Sequence, residues 1–409
     1  MTHQAHNLPW KVLSDNFIYR YKYRRNDYLT NLFSQDAPQT PKDLRYFAMA
    51  FSRTIEEHSN VERAKYSEVY DPPKDHEEVF SKATAEKIQR TLQHSQERGG
   101  SICSMEALDD RRMQSWSTFM DYYPGSGVYR PPYEVLEPLK ILLLRNEMDT
   151  VLRISSHPSV NLYTAWETHF DDESDYGLKG LFYPALISYL CLNVLLQKPE
   201  LYDDDAKKSY LQCPERGLPV FPEESFLDYR LTRAYQLMIL NCAETTTQTL
   251  PYQAFFGLSQ ERTYAYRASR YQCGRMSFAQ LKSAANMDGY RPHRDDIAEV
   301  IQTLQQKGLP TELCLTIIEF AKYTPTRRIV RADDPLHKDN VKELRKYLTY
   351  CWQLLVRGDM LMKSKNDKID WKFTVEYCIW TLFIEPSRRV VKLQRRSAGG
   401  LILDEPYRR

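Results

Sequence analysis

Glycine is scarce in this sequence, with 14 residues in 409, about half of the ~7% typical of proteins. Few positions can therefore adopt positive φ angles without strain, which argues against turn-rich β-sandwiches and propellers. Glycine-lined phosphate loops are absent too, because neither GxxxxGK[ST] nor GxGxxG occurs. The scarcity favours a fold built from helices.

Paired metal ligands and catalytic motifs are also missing. The eight cysteines are spread singly without a CxxC pair, whereas zinc sites use closely paired ligands. Phe80 stands where a second histidine would complete HExxH after His76, and no GxSxG occurs. The acidic run at 171–175 lacks the glycine and glutamate that a calcium loop needs. We predict no catalytic, cofactor or metal site, with an enzyme of an unrecognised family as an alternative.

A membrane-spanning segment and a strong charge excess are the remaining absences. The most apolar stretch, 180–197, is interrupted by Pro184, which leaves too few residues for the ~20 of a span. The start, MTHQAHNLPWKVL, lacks the pattern of a signal peptide. The net charge of +2 gives no global attraction to nucleic acid or membrane. We expect an intracellular protein, cytoplasmic or nuclear, that does not bind a membrane.

Apolar residues recur at helical spacing along much of the chain, which predicts a mainly α fold, an irregular multi-helix array with few or no β-strands. The predicted helices cover 41–58, 133–154, a buried stretch after Pro184, 221–242, the two sides of Gly308, and segments starting near Asn340 and Asp370. Asn340 with Glu343 resembles a capping box. Asp370 is a further predicted N-cap.

Proline and glycine clusters and shifts in charge divide the chain into four predicted regions. They are an N-terminal helical region at 1–130 with a charged excursion at 59–100, a central helical region at 131–290, a C-terminal helical bundle at 291–386, and a basic tail at 387–409.

The C-terminal region contains the segment LPTEL, followed by apolar residues on one helical stripe. The segment resembles the start of an F-box, and the wider resemblance covers about 309–363. It implies a short helical bundle that docks on a Skp1-like adaptor of a ubiquitin ligase, with these candidate contacts: Leu309, Pro310, Leu313, Ile317 and Phe320. An ordinary core helix would show the same pattern, because proline and glutamate suit any helix start.

Several longer pieces of the chain are similar to a family of uncharacterised helical proteins of filamentous fungi. They are DYYPGSGVYRPP, GLPTELCLTIIEFAKYTPTRR and ELRKYLTYCWQLLVRGDML. This resemblance covers most of the chain and implies a helical fold in a fungal cell, but no activity.

Two basic segments keep a nucleic-acid alternative open. Residues 19–25 read YRYKYRR, in which aromatic and basic side chains alternate, and the tail from Arg388 to Arg396 is rich in Arg and Lys. Such segments can stack bases and neutralise phosphates, but the first is also typical of a half-buried helix or strand edge, and the second of a solvated terminus. We therefore interpret the protein as a non-enzymatic protein–protein interaction protein, of which an F-box-like adaptor is the most specific version, and expect no nucleic-acid partner.

Overall fold

The fold is known from a computed structural model. It describes residues 7–24, 27–34, 40–74, 77–86, 139, 142–144, 146–157, 179–211, 227–244, 273–284, 294–321, 330–331, 336–364, 366 and 368–383. Both the acidic run at 171–175 and the basic tail lie outside these residues.

Helices dominate the described chain, which confirms the predicted mainly α class. The helices are α1 (Trp10–Asp15), α2 (Thr40–Arg63), α3 (Met148–Ser155), α4 (Lys179–Leu196), α5 (Asp204–Leu211), α6 (Arg233–Glu244), α7 (Phe278–Ala284), α8 (Arg294–Gln306), α9 (Thr311–Phe320), α10 (Val341–Lys363) and α11 (Trp371–Phe383). Short 3-10 turns lie at Pro199–Leu201 and Tyr229–Leu231. One antiparallel hairpin, β1 (Phe17–Arg24) and β2 (Asp27–Ser34), accounts for the strands of the described chain.

The core forms where α4 and α10 pack against each other, with α2 and α11 beside them. Helix α4 is apolar all round, and such a helix is stable only when it is buried. Rings from three helices meet at Trp352, whose ring centroid lies 5.2 Å from Tyr189 and 5.7 Å from Phe51. Pro184 lies inside α4 rather than at its start, so the helix begins earlier than the sequence indicates.

Two predicted helices differ from the structure. The stretch 133–154 is interrupted at Asn146, which has φ 65°. The Glu147 N–H donates to the Leu142 carbonyl over 3.1 Å, so the chain ends one helical segment there and starts α3. The second helix, predicted from Phe221, starts only at Arg233, because Thr232 has an extended backbone with ψ 141°.

Helices from different predicted regions share the core, since α10 packs against α2 and α4, and α11 packs against α2, α4 and α6. The predicted domain boundaries near 130, 290 and 386 lie outside the described residues, so the division into regions stays a prediction.

The hairpin joins several helices through β2. Asn31 is fully buried; its amide group donates to the Leu382 carbonyl over 2.9 Å, and its Oδ1 accepts the Ala234 N–H over 3.0 Å. One side chain thus caps the C-terminal end of α11 and the N-terminal end of α6. The hydroxyl oxygen of Thr30 beside it lies 2.7 Å from the Leu231 carbonyl and 2.9 Å from the Gly274 carbonyl, which share its one proton.

A buried guanidinium joins α10 to α2 and to the turn at Asn146. Arg357 is 2% exposed and donates to the Leu143 carbonyl and to Asn146 Oδ1. Its Nη2 lies 3.5 Å from Glu62 Oε1, and Glu62 is also buried. Burial would raise the pKa of Glu62, but the hydrogen bond from Lys65 and the charge of Arg357 lower it below its ordinary value.

We expect Asn31→Leu to lower the free energy of unfolding by roughly 2–4 kcal/mol, because it leaves two buried backbone groups without hydrogen bonds. Denaturant unfolding measures the change, and Gln302→Leu on an exposed part of α8 is the matched control. A loss no larger than that of the control would contradict the double-capping role.

A second stability prediction concerns Gly358, where α10 passes α4. A Cβ atom there would lie 2.4 Å from the ring of Phe182. Gly358→Ala should therefore destabilise the fold by about 1–3 kcal/mol, despite alanine's higher helix propensity. The double variant Gly358→Ala/Phe182→Leu should lose less than the sum of the two single losses, since the smaller side chain relieves the clash. Additive losses would refute this account.

Candidate partner-binding surface

Helices α8 and α9 form a hairpin around Gly308. Gly308 has φ 86°, and the Leu309 N–H donates to the Leu304 carbonyl over 3.2 Å, which closes α8 in the way glycine usually ends a helix. Pro310 then occupies the N-cap position of α9 in an extended conformation. The predicted helix end at Gly308 and the predicted helix start in LPTEL are both confirmed.

The side of α9 that carries the predicted stripe faces solvent. The exposed fractions are 50% for Leu313, 42% for Ile317 and 83% for Phe320. These three residues, the α9 stripe, lie within about 60° of one another around the helix at 3.6 residues per turn. Apolar side chains gathered on one exposed face usually mark an interaction site.

The other predicted contacts lie at the base of the α9 stripe. Leu309 is half-buried and Pro310 is exposed. Cys314 is fully buried, and α9 packs against α8. Leu315 is 52% exposed on the far side of α9 and was not among the predicted residues. The number of apolar residues in α9 could have indicated it, because one contact with α8 cannot cover all of them.

The helix after α9 in the F-box-like segment has a different environment. Helix α10 is buried along most of its length, including every residue from 354 to 362, and it packs against α2 and α4. Exposed apolar side chains of the segment 309–363 are therefore concentrated on α9 rather than on α10.

The predicted capping box before α10 is wrong. Asn340 is the N-cap residue, but its side chain makes no capping hydrogen bond. Instead its Oδ1 accepts the Arg331 N–H over 3.1 Å, and its Nδ2 donates to the Arg331 carbonyl over 3.0 Å. The Asn340 side-chain amide thus holds the backbone of Arg331 beside the start of α10. The other predicted cap is confirmed, since Asp370 Oδ1 accepts the Phe373 N–H over 3.0 Å.

His337 lies in the turn that precedes α10, edge-on to the rings of Tyr202 and Tyr229 at 5.5 and 5.9 Å. Its Nδ1 accepts the Asp339 N–H over 3.1 Å, so that nitrogen carries no proton. Burial lowers the pKa of His337; the Asp339 carboxylate opposes this effect, and nearby cations such as Arg331 reinforce it.

Within the described part of the chain, the remaining predicted features form no second site. Residues 19–24 of the aromatic–basic segment lie in β1, where Tyr19 is buried and its carbonyl accepts the Tyr210 hydroxyl over 3.0 Å. No group of three potential metal ligands occurs among the described residues. No described helix is long and apolar enough to cross a membrane. The described cysteines Cys191, Cys273, Cys314, Cys351 and Cys378 are buried and do not form disulfide bonds.

The described residues thus define a mainly α protein in which helix α9 carries an exposed apolar stripe. The family model described as Gramillins biosynthetic cluster protein GRA5 matches residues 11–394, nearly the whole chain. The chain therefore belongs to this fungal family, in agreement with the resemblance to fungal helical proteins. The F-box resemblance gains no support from the match. No curated protein and no solved structure matches the chain.

A pH prediction follows from His337. Its pKa in the folded protein is below the ordinary value of 6.5, so the unfolded chain binds its proton more readily. The stability due to neutral His337 is complete above about pH 6.5 and is lost as the pH falls below that value. Burial also lowers the pKa of His58, so protonation of His58 should likewise lower the stability as the pH falls.

Thermal unfolding measured between pH 7.5 and about pH 5.5 tests this expectation. This range extends about one pH unit to either side of the ordinary histidine pKa. The wild-type protein should lose stability on acidification, and His337→Gln should lose less over the same range. An identical pH dependence in both proteins would show that His337 does not contribute.

Proposed function

We propose that this member of the GRA5 family is a non-catalytic protein-interaction protein and that the α9 stripe is its docking surface. The observation that carries the proposal is the exposure of Leu313, Ile317 and Phe320 on one side of a short helix. Burying a large apolar side chain contributes about 1.5–3 kcal/mol. A partner that covers all three would therefore gain several kcal/mol from this stripe.

The proposed partner is a Skp1-like adaptor protein. The resemblance of LPTEL and the following stripe to an F-box start supports this choice, and the recognition would be helix against helix. Helix α9 is placed suitably, because its contact with α8 leaves the stripe open. The description of the family as a biosynthetic cluster protein supports a role for such binding within a fungal biosynthetic cluster.

The test is a pull-down of the full-length protein by a purified Skp1-like adaptor. We expect wild type to bind and Leu313→Asp and Ile317→Asp to lose at least about tenfold in affinity, since each introduces a charge into an apolar contact. Thr316→Asp, an exposed position on the same helix, is the matched control and should bind nearly as well.

Circular dichroism and thermal unfolding should give the wild-type result for all three variants, because the substituted side chains lie outside the core. If wild type does not bind the adaptor, or if Thr316→Asp is as defective as the stripe variants, the adaptor proposal is refuted.

A further inference from the structure

A cavity of about 440 Å³ lies where three helices end. Its wall includes Arg63, the last residue of α2, Ser155, the last residue of α3, and Lys363, the last residue of α10. Its volume is within the range of sites for small molecules. None of the residues that line it belongs to α8 or α9, so it is separate from the α9 stripe.

The helix ends give the cavity a negative potential. Each C-terminal helix end is equivalent to about −0.5 elementary charge, and three of them meet here. The two cations of the wall are already engaged: Arg63 donates to the carbonyls of Tyr66 and Glu68, both over 3.1 Å, and Lys363 Nζ lies 2.8 Å from Asp359.

Glu68 adds a carboxylate to this wall. Within the described part of the chain, no hydrogen bond or ion pair engages its side chain. The buried Asp359 is paired with Lys363, which leaves Arg63 and the unpaired Glu68 carboxylate as one cation and one anion of the wall, and the negative helix ends add to the anion. The resulting field favours a cation over an anion.

The serine hydroxyls of the wall are oriented as acceptors. Ser155 donates to the Val151 carbonyl over 2.7 Å, Ser156 to the Arg153 carbonyl over 2.7 Å, and Ser364 to the Leu361 carbonyl over 2.6 Å. A hydroxyl has one proton to donate, and each of these protons is used within its own helix. The hydroxyl oxygens therefore offer lone pairs to a ligand that is rich in donors.

Two apolar residues complete the wall. Leu152 is 3% exposed and Met360 is fully buried, and both line the cavity. Because these side chains expose almost no surface, the polar groups of the wall determine what can bind.

We propose that this cavity binds a small aliphatic amine. Its ammonium group, which has three donors and no acceptor, interacts with Glu68 and the serine oxygens. A carboxylate or phosphate would instead face three negative helix ends and hydroxyls with no proton to spare. The proposal does not depend on the adaptor function, because the cavity and the α9 stripe share no residue.

Isothermal titration calorimetry of the full-length protein with n-butylamine tests the proposal. Butan-1-ol and butyrate, at matched ionic strength, are the neutral and anionic controls of similar length. We expect saturable binding of butylamine, binding of butanol that is at least about tenfold weaker, as when charged hydrogen bonds are lost, and none of butyrate. Absence of butylamine binding, or binding of butanol or butyrate equal to that of the amine, would overturn the proposal.

Variants locate the binding site. Glu68→Gln should weaken butylamine binding by about tenfold, because it removes the one unpaired carboxylate of the described wall. Ser155→Ala should weaken it to a smaller extent. Glu57→Gln, an exposed carboxylate elsewhere on α2, is the matched control and should leave the affinity unchanged. If Glu68→Gln retains wild-type affinity while its thermal unfolding is also unchanged, the amine does not bind in this cavity.

Discussion

The buried guanidinium of Arg357 is the interaction on which much of the described structure depends. Moving a charge from water into the interior costs several kcal/mol unless partners surround it. Here the partners come from the end of α2, through Glu62, and from the turn at Asn146, while Arg357 itself belongs to α10. Three separate parts of the chain must therefore take these positions together.

Local patterns predict helix ends well where the local chain alone determines them. Gly308 ends α8 because glycine adopts positive φ readily, and Asp370 caps α11 with its own side chain. The predictions fail where a side chain bonds to a residue that is not its neighbour in the sequence. Asn340 looks like a capping residue, but its amide bonds the backbone of Arg331 instead. Arg357, which could equally have been a solvated charge on α10, is among the most buried residues.

The two candidate sites differ in how far the sequence could reveal them. The apolar spacing in α9 is visible in the sequence, but a core helix has the same spacing, and only the packing shows that Leu313 and Phe320 face solvent. The cavity at the ends of α2, α3 and α10 has no sequence pattern at all, because its walls come from residues 60–70, 152–156 and 360–366. No local window contains them together, and the direction of each serine hydroxyl depends on the helix to which it belongs.

The size of α9 limits how a partner can bind. A helix of ten residues is about 15 Å long, and a stable interface usually takes about 800 Å² from each partner. One side of α9 cannot supply such an area alone. Helix α8 can contribute, since its apolar residues Ile297, Val300 and Leu304 remain only half-buried beside α9. A tight complex therefore requires a partner that contacts both helices of the hairpin, whereas contact with the α9 stripe alone would give a weak and transient one.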